Sequence, residues 1–316
     1  MNWQRVVAQW PILFNRPRLG SSCYYIPESA MGNQIQSSEI RLLWGTHLPP
    51  SEKILIDSAT PEDCVAILLS IRGGVSVSQA DVEAKARGRG TVADASLFRN
   101  VNRLVDLSIL QRTKTKDVQL TEFGTKCKNL LLDRPILFYE LMHHIHMSSA
   151  FEPEKKRYFR TYYLISKYLY ENHRVSNPSH VISNVLSDLE LIFGESQASS
   201  IDATSVSKVV SWLKMLEPKF VLDDGKRFQG RANVTQETAM MAITGYYRQR
   251  GLEYGTPIML DKQTVRGISL MGLIDESDLL KNLQQLSVRF PTLALLGTVE
   301  GKGLLLRDMF TIDVIV

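Results

Sequence analysis

Between Ala93 and Leu107 the sequence sets four side chains that can address a nucleic acid along one arc of a helix. At about 100° per residue, Ser96, Arg99, Asn100 and Arg103 share that arc, while Leu97, Phe98, Val101, Leu104 and Val105 share the opposite one. An arginine can pair bidentately with guanine and an asparagine with adenine; Ser96, with Thr91 ahead of the helix, suits phosphate. Cations flank the helix on both sides, with Lys85, Arg87 and Arg89 before it and Arg112, Lys114 and Lys116 after it. Residues 76–120 carry eight basic and five acidic side chains, a net +3, whereas the whole chain, with 37 basic and 33 acidic, reaches only +4. The placement of charge, not its sum, points to double-stranded DNA. A solvated polar face in a domain that binds other proteins is the competing expectation.

Other groupings favour packing over chemistry. Lys155-Lys156-Arg157-Tyr158-Phe159-Arg160, continuing into Tyr162, Tyr163 and Tyr168, has the composition of a stacking platform for single strands. Tyr158, Tyr162, Ile165 and Leu169 recur at helical spacing, however, which assigns the rings to a core and the cations to the outer face, with Lys155 and Lys156 left to touch phosphate. His143 and His146 stand one turn apart near Glu140, spacing that suits two metal ligands; without a His-Glu-x-x-His arrangement, these and His144 read as packed, and no metal site is expected. Glu300-Gly301-Lys302 matches the Glu-x-Lys half of a metal-dependent nuclease motif, which makes Glu300 and Lys302 the sole catalytic candidates. The upstream Asp of that motif has no counterpart, since Asp261, Asp275 and Asp278 fall in helix-like segments, and Glu-Gly-Lys-Gly is an ordinary hairpin turn. No phosphate-binding loop, nucleophile elbow or dinucleotide fingerprint occurs, so the expectation is a non-enzyme with neither cofactor nor small-molecule ligand.

Several elements must position these residues. Thr60-Pro61-Glu62-Asp63 is a helix start leading into the apolar run Val65 to Ile71, stopped at Gly73-Gly74. Ser78 caps a polar helix to Arg87, and the Ala93 to Leu107 helix follows. Ile109 to Arg112 and Val118 to Thr121 are strand-like around the polar tip Thr113-Lys114-Thr115-Lys116-Asp117, and Thr121-Glu122-Phe123-Gly124 opens a further helix to about Leu132. Residues 60–132, about a quarter of the chain, resemble the winged helix-turn-helix superfamily. The stretch from Ser96 through Leu107-Ser108-Ile109-Leu110-Gln111-Arg112 to Leu120-Thr121-Glu122-Phe123-Gly124 is similar to the recognition helix, wing and Leu-Thr-x-x-Gly turn of MarR-type regulators. The Asp-x-Arg pair of those wings is absent, as Asp117 is followed by Val118 and Gln119, so the resemblance is to the superfamily and not to the MarR type. It implies insertion of the 93–107 helix into a major groove with the wing on the adjacent backbone.

Helices are predicted over Pro135 to Met147, Pro153 to Asn172, Pro178 to Phe193 and Ala203 to Leu216. Ser205 to Leu213 aligns with Ser96 to Leu104, putting Lys208 where Arg99 stands; a hairpin at Lys219 to Leu222, Asp224-Gly225 and Lys226-Arg227-Phe228 follows. Residues 153–231 are therefore a candidate second winged helix. In 232–316, helices Thr235 to Arg250, Leu260 to Met271 and Glu276 to Phe290 precede strands Thr292 to Val299 and Gly303 to Arg307, and Phe310 to Val316 is expected as the third strand. The fold class is mainly α with small β wings (α+β), as tandem winged-helix domains joined by a helical segment, divided as 1–59, 60–132, 133–231 and 232–316. The first of these reads as short strands and loops punctuated by proline and glycine.

Three scattered cysteines give no disulfide framework, no signal-peptide core is legible and no apolar run reaches about 18 residues, which suits a cytoplasmic protein without a membrane partner. The functional expectation is a duplex-binding regulator, or the DNA-binding subunit of a replication, mobile-element or phage-defence complex. The partners are double-stranded DNA and either protein subunits or a second copy of the chain. The alternatives are a winged-helix scaffold that binds partner proteins and a metal-dependent nuclease with a C-terminal catalytic domain.

Overall fold

The helices begin where local chemistry tells them to. In a computed structural model that describes residues 60–87, 94–115, 117–151, 157–173, 178–193, 203–222, 225–298 and 301–314, Thr60 Oγ1 accepts from the Asp63 amide at 3.3 Å and Pro61 fills the first position of helix α1 (Pro61–Ser70). The expectations for residues 1–59 lie outside the described residues, which all belong to one unit of the chain. Ser78 Oγ accepts from Asp81 N at 3.1 Å and caps α2 (Gln79–Arg87); α3 (Asp94–Asp106) and the antiparallel strands β1 (Leu110–Arg112) and β2 (Val118–Leu120) follow. Val77, ahead of α2, exchanges both backbone hydrogen bonds with Val118 at 2.9 Å and so lies along the other side of β2.

Helix α4 (Glu122–Asp133) turns on Thr121, whose Oγ1 accepts from Gly124 N at 2.9 Å and donates to Ser108 O at 2.6 Å. A Cβ on Gly124 would stand 1.9 Å from the Ile109 carbonyl oxygen. The Leu-Thr-x-x-Gly turn is thus the place where a helix start must cross the base of a hairpin with no room for a side chain.

The same order, helix, extended residue, two helices and hairpin, occurs three times among the described residues. In the second repeat α6 (Arg157–Asn172) runs into His173, then α7 (Pro178–Phe193), α8 (Ala203–Leu213) and a hairpin with Val221 opposite Phe228. Here Phe228 N donates to His173 O at 2.8 Å, the counterpart of the bonds between Val118 and Val77. In the third, α9 (Gln236–Gln249), β3 (Pro257–Met259), α10 (Lys262–Gly272) and α11 (Glu276–Arg289) precede β4 (Leu293–Thr298) and β5 (Gly301–Leu306), in the antiparallel sheet order β3-β5-β4. The third strand is therefore Pro257–Met259 and not the Phe310 to Val316 end. The segment 255–260 already occupies the outer edge of β5, with Gly255 N on Leu306 O and Leu260 N on Lys302 O, and the chain end instead forms a 3-10 turn at Ile312–Val314.

The architecture is mainly helical with small antiparallel sheets. Helix α5 (Pro135–Ser149) is its centre, buried from Leu137 onward except at Tyr139 and in contact with α4, α6, α8, α9 and α10. On it, Glu140, 1% exposed, meets the guanidinium of Arg231, whose side chain is fully buried: Nη2 donates to Oε2 at 3.0 Å and Nη1 to Oε1. Arg231 also donates to the carbonyls of Gly272 and Glu217, and Glu217 N donates to Glu140 Oε1 at 3.3 Å. Removing one member strands the other charge in a dry site, which costs about 3–5 kcal/mol. Arg231→Met is expected to lower the melting temperature steeply, and Glu140→Leu combined with Arg231→Met to recover part of the loss. Thermal unfolding of the single and double variants checks this.

Candidate nucleic-acid interface

Four exposed cations of the first repeat stand at the end of α2 and on the β1–β2 hairpin, and Arg72, after α1, is exposed as well. Lys85, Arg87, Arg112 and Lys114 are all exposed. Arg112 is held in place, since its Nη2 donates to Asn102 Oδ1 at 2.6 Å, which ties hairpin to α3. The hairpin tip is ordered by a chain of hydroxyls: Thr113 Oγ1 and Thr115 Oγ1 are 2.8 Å apart, Thr115 donates to Asp117 Oδ2 at 2.9 Å, and Thr113 N closes the turn on Asp117 O at 2.9 Å. Asn102, Thr113 and Thr115 are positioning residues whose types alone do not single them out; for Asn102 the one sequence signal is a polar residue at the border between the apolar and polar arcs of α3.

The polar arc of α3 is not the open face its periodicity suggests. Asn100 is 3% exposed, and its Nδ2 donates to Asp63 Oδ2 at 2.7 Å. Burial lifts the Asp63 carboxyl above its ordinary range, and the hydrogen bonds from Thr60 and Asn100 pull partly the other way. Asn100 thus solvates a buried acid on α1 and presents nothing to a base. Arg103, with a side chain 13% exposed, pairs with Asp106 at 3.5 Å, and its charge is felt at His146 on α5, so it too faces the protein more than the solvent. Arg89, Thr91, Lys116, Lys155 and Lys156, and the side chains of Ser96 and Arg99, lie outside the described residues. Lys208 is half-buried on α8 of the second repeat, on a different element from the first-repeat cations.

The remaining candidates resolve into structure. Phe159, Tyr162 and Tyr163 are buried, as helical spacing requires, but Arg160 is 1% exposed and not on an outer face: α6 is enclosed on both sides by α5, α7 and α8. His143, His144 and His146 are all buried; His143 Nδ1 bonds Tyr162 OH at 2.9 Å, and His146 binds Met142 O at 2.7 Å while stacking on Tyr162, ring centroids 4.8 Å apart. Burial holds His143 well below the usual imidazole range, and lowers His144 to about 3 and His146 to about 4. Asp261 and Asp275 are N-caps of α10 and α11, and Asp278 accepts from Asn233 N at 2.8 Å; Lys302 is exposed on β5, and Glu300 lies outside the described residues. Among the described residues no group of three or more His, Cys, Asp or Glu is placed to hold a metal ion, and no helix is long and apolar enough to cross a membrane.

No family model and no curated protein matches the chain. A solved structure, the crystal structure of magnesium ion-bound SspB, is similar to it with a TM-score of 0.51 and 12% identity, over 84% of this chain and 85% of that one. At that identity the likeness is one of fold, extending across all three repeats.

The buried polar groups have measurable consequences. Asn100→Ala removes the donor from a buried carboxyl and should destabilise the fold by about 1–3 kcal/mol, read by thermal melting. The histidines set an acid sensitivity. Their folded pKa values lie below the unfolded value of about 6.5, so the unfolded chain takes up protons first. Stability is full above that pH and falls between about 6.5 and 4, by up to about 1.4 kcal/mol per pH unit for each histidine. His146→Phe should flatten that slope by one proton, measured by denaturant unfolding from pH 7.5 to 4.5.

Proposed function

We propose that the chain binds double-stranded DNA, with residues 60–132 acting as a winged helix and the later repeats as tandem copies of the same unit. The observation that carries this reading is the coincidence of position and charge. Lys85, Arg87, Arg112 and Lys114 are exposed, and they fall at the end of the second helix and on the hairpin, the parts of a winged helix that lie along phosphates. The inward turn of Asn100 and Arg103 leaves base contacts to the first half of α3, where Ser96 and Arg99 stand in the sequence. Backbone contacts therefore dominate affinity in this reading, and affinity is steeply salt-dependent. The hydroxyl chain from Thr113 to Asp117 and the Arg112–Asn102 bond keep the hairpin in one conformation, so that little ordering is lost on binding.

Fluorescence anisotropy on a labelled duplex over a range of salt concentrations tests it. The double charge reversals Lys85→Glu with Arg87→Glu, and Arg112→Glu with Lys114→Glu, should each weaken binding at least about tenfold and reduce the salt slope by about 0.9 for every phosphate that is no longer neutralised. Affinity and slope unchanged in both variants would remove the proposal and leave the protein-binding scaffold in its place.

A further inference from the structure

The third helix of the second repeat, α8, is turned the same way as α3 but shows a different side chain set. It buries Ser205, Val206, Val209, Trp212 and Leu213 where it packs against α5, α6 and α7. The other side is a stripe of Thr204, Ser207, Lys208, Ser211 and Lys214 at helical spacing; Thr204, Ser207 and Lys214 are exposed, and the helix holds no carboxylate. Matching Ser205–Leu213 to Ser96–Leu104 puts buried Val209 and Trp212 where α3 has the inward Asn100 and Arg103. At the outward positions α3 has Ala95, Phe98, Arg99, Asn102 and Val105, and Asn102 is engaged by Arg112. The outward side of α8 is the more polar of the two.

Cations collect where α8 meets its hairpin. Lys219 Nζ donates to Lys214 O at 3.3 Å and pairs with Glu217 at 2.5 Å. The Lys214 ammonium lies over Gly225 in the turn, 3.8 Å from where a β-carbon would stand, and Lys226 and Arg227 are exposed on the returning arm. Residues 203–229 carry five basic and three acidic side chains, a net +2, and one of the acids is the Glu217 held by Lys219. The third helices of the first two repeats also reach α5 at one residue: the His146 ring is 5.1 Å from that of Trp212, and it feels the charge of Arg103. One core thus holds both helices, so a duplex that touches both gains the second contact without a second loss of translational freedom. Hydroxyls suit phosphates and either base edge, and lysine suits the guanine edge. We infer that the second repeat is a further duplex-DNA contact, in which Thr204, Ser207 and Lys208 of α8 face a major groove and Lys214, Lys226 and Arg227 rest on the flanking phosphates.

This inference rests on the reading of the chain as DNA-binding, and its test separates the two. In the full chain, Lys214→Glu with Lys226→Glu, both at exposed positions, should weaken duplex binding at least about tenfold and lower the salt slope by about 0.9 for every phosphate no longer neutralised, with an unchanged melting temperature. The same charge change on the third repeat, Lys281→Glu with Lys302→Glu, acts only over long range and should weaken binding less than about threefold. A photoreactive p-benzoylphenylalanine in place of Ser207 should crosslink to labelled duplex, and one in place of Val288, on α11, should not. Equal losses in the two double variants overturn the inference. So does a Ser207 crosslink no stronger than the Val288 one, or one equally strong on a single strand of the same sequence. If Lys85→Glu with Arg87→Glu weakens binding while Lys214→Glu with Lys226→Glu does not, this inference falls and the DNA reading stands. If none of the reversals changes affinity, the DNA reading falls and takes this contact with it.

Discussion

The second and third repeats meet the central helix α5 at one buried ion pair. Taking a carboxylate and a guanidinium out of water costs several kcal/mol for each ion, and the mutual attraction offsets this only when the remaining donors and acceptors are also used. The pair of Glu140 and Arg231 meets that condition at both terminal nitrogens of the guanidinium, though not at Nε, with groups drawn from separate parts of the chain. Glu140 comes from the central helix α5, Arg231 from the segment entering the third repeat, the Glu217 amide and carbonyl from the second repeat, and the Gly272 carbonyl from the end of α10. The backbone of Arg231 is fixed at the same time, its N–H on Leu273 O at 2.9 Å and its carbonyl accepting from Asp275 N at 2.9 Å. An apolar substitute can fill the volume, but it cannot satisfy the Gly272 and Glu217 carbonyls. The pair therefore ties the second and third repeats to α5, within a core whose central helix is otherwise packed by apolar side chains.

Where structure is decided by neighbours in sequence, it is legible in sequence. Thr60 with Pro61, Ser78, Thr121 with Gly124, Thr235, Asp261 and Asp275 all cap helices within three residues of themselves, so helix starts can be read directly. The hairpins at Val118 and at Phe228 are equally local. What escapes is any side chain whose partner is remote. The periodicity of α3 separates an apolar arc from a polar one, yet it cannot distinguish a polar arc facing water from one facing a buried acid, and Asp63 lies 37 residues away. Arg160 is the same kind of case: its cationic neighbours suggest a solvated face, but α6 is covered on both sides. The apolar run Phe310 to Val316 has the composition to occupy the outer edge of β5 and follows it closely in sequence, but that edge is taken by 257–259, more distant along the chain.

The repeats keep one order of elements and differ in what their third helices show to solvent. In α3 the second half turns Asn100 and Arg103 toward the protein; α8 exposes Thr204 and Ser207; α11 exposes leucine, valine and glutamine. Charge follows the same division, +3 over residues 76–120 against one excess acid in residues 232–316. A helix in this position is fastened by its buried side and by the strands of its own hairpin, so its outer residues can change with little effect on folding. Divergence there costs almost nothing in stability, whereas divergence at Glu140 or Arg231 costs the assembly of the repeats. Helices α4 and α5 are packed against each other and against elements of all three repeats. Ion pairs at the periphery fasten the same geometry. Lys126 on α4 meets Asp313 near the chain end, and Glu237 on α9 takes Arg289 at 2.7 Å and Arg134 at 3.4 Å. A chain with an almost balanced net charge thus keeps its basic excess on the first repeat and none on the third, while the core that joins them carries no charge other than its paired or hydrogen-bonded buried groups.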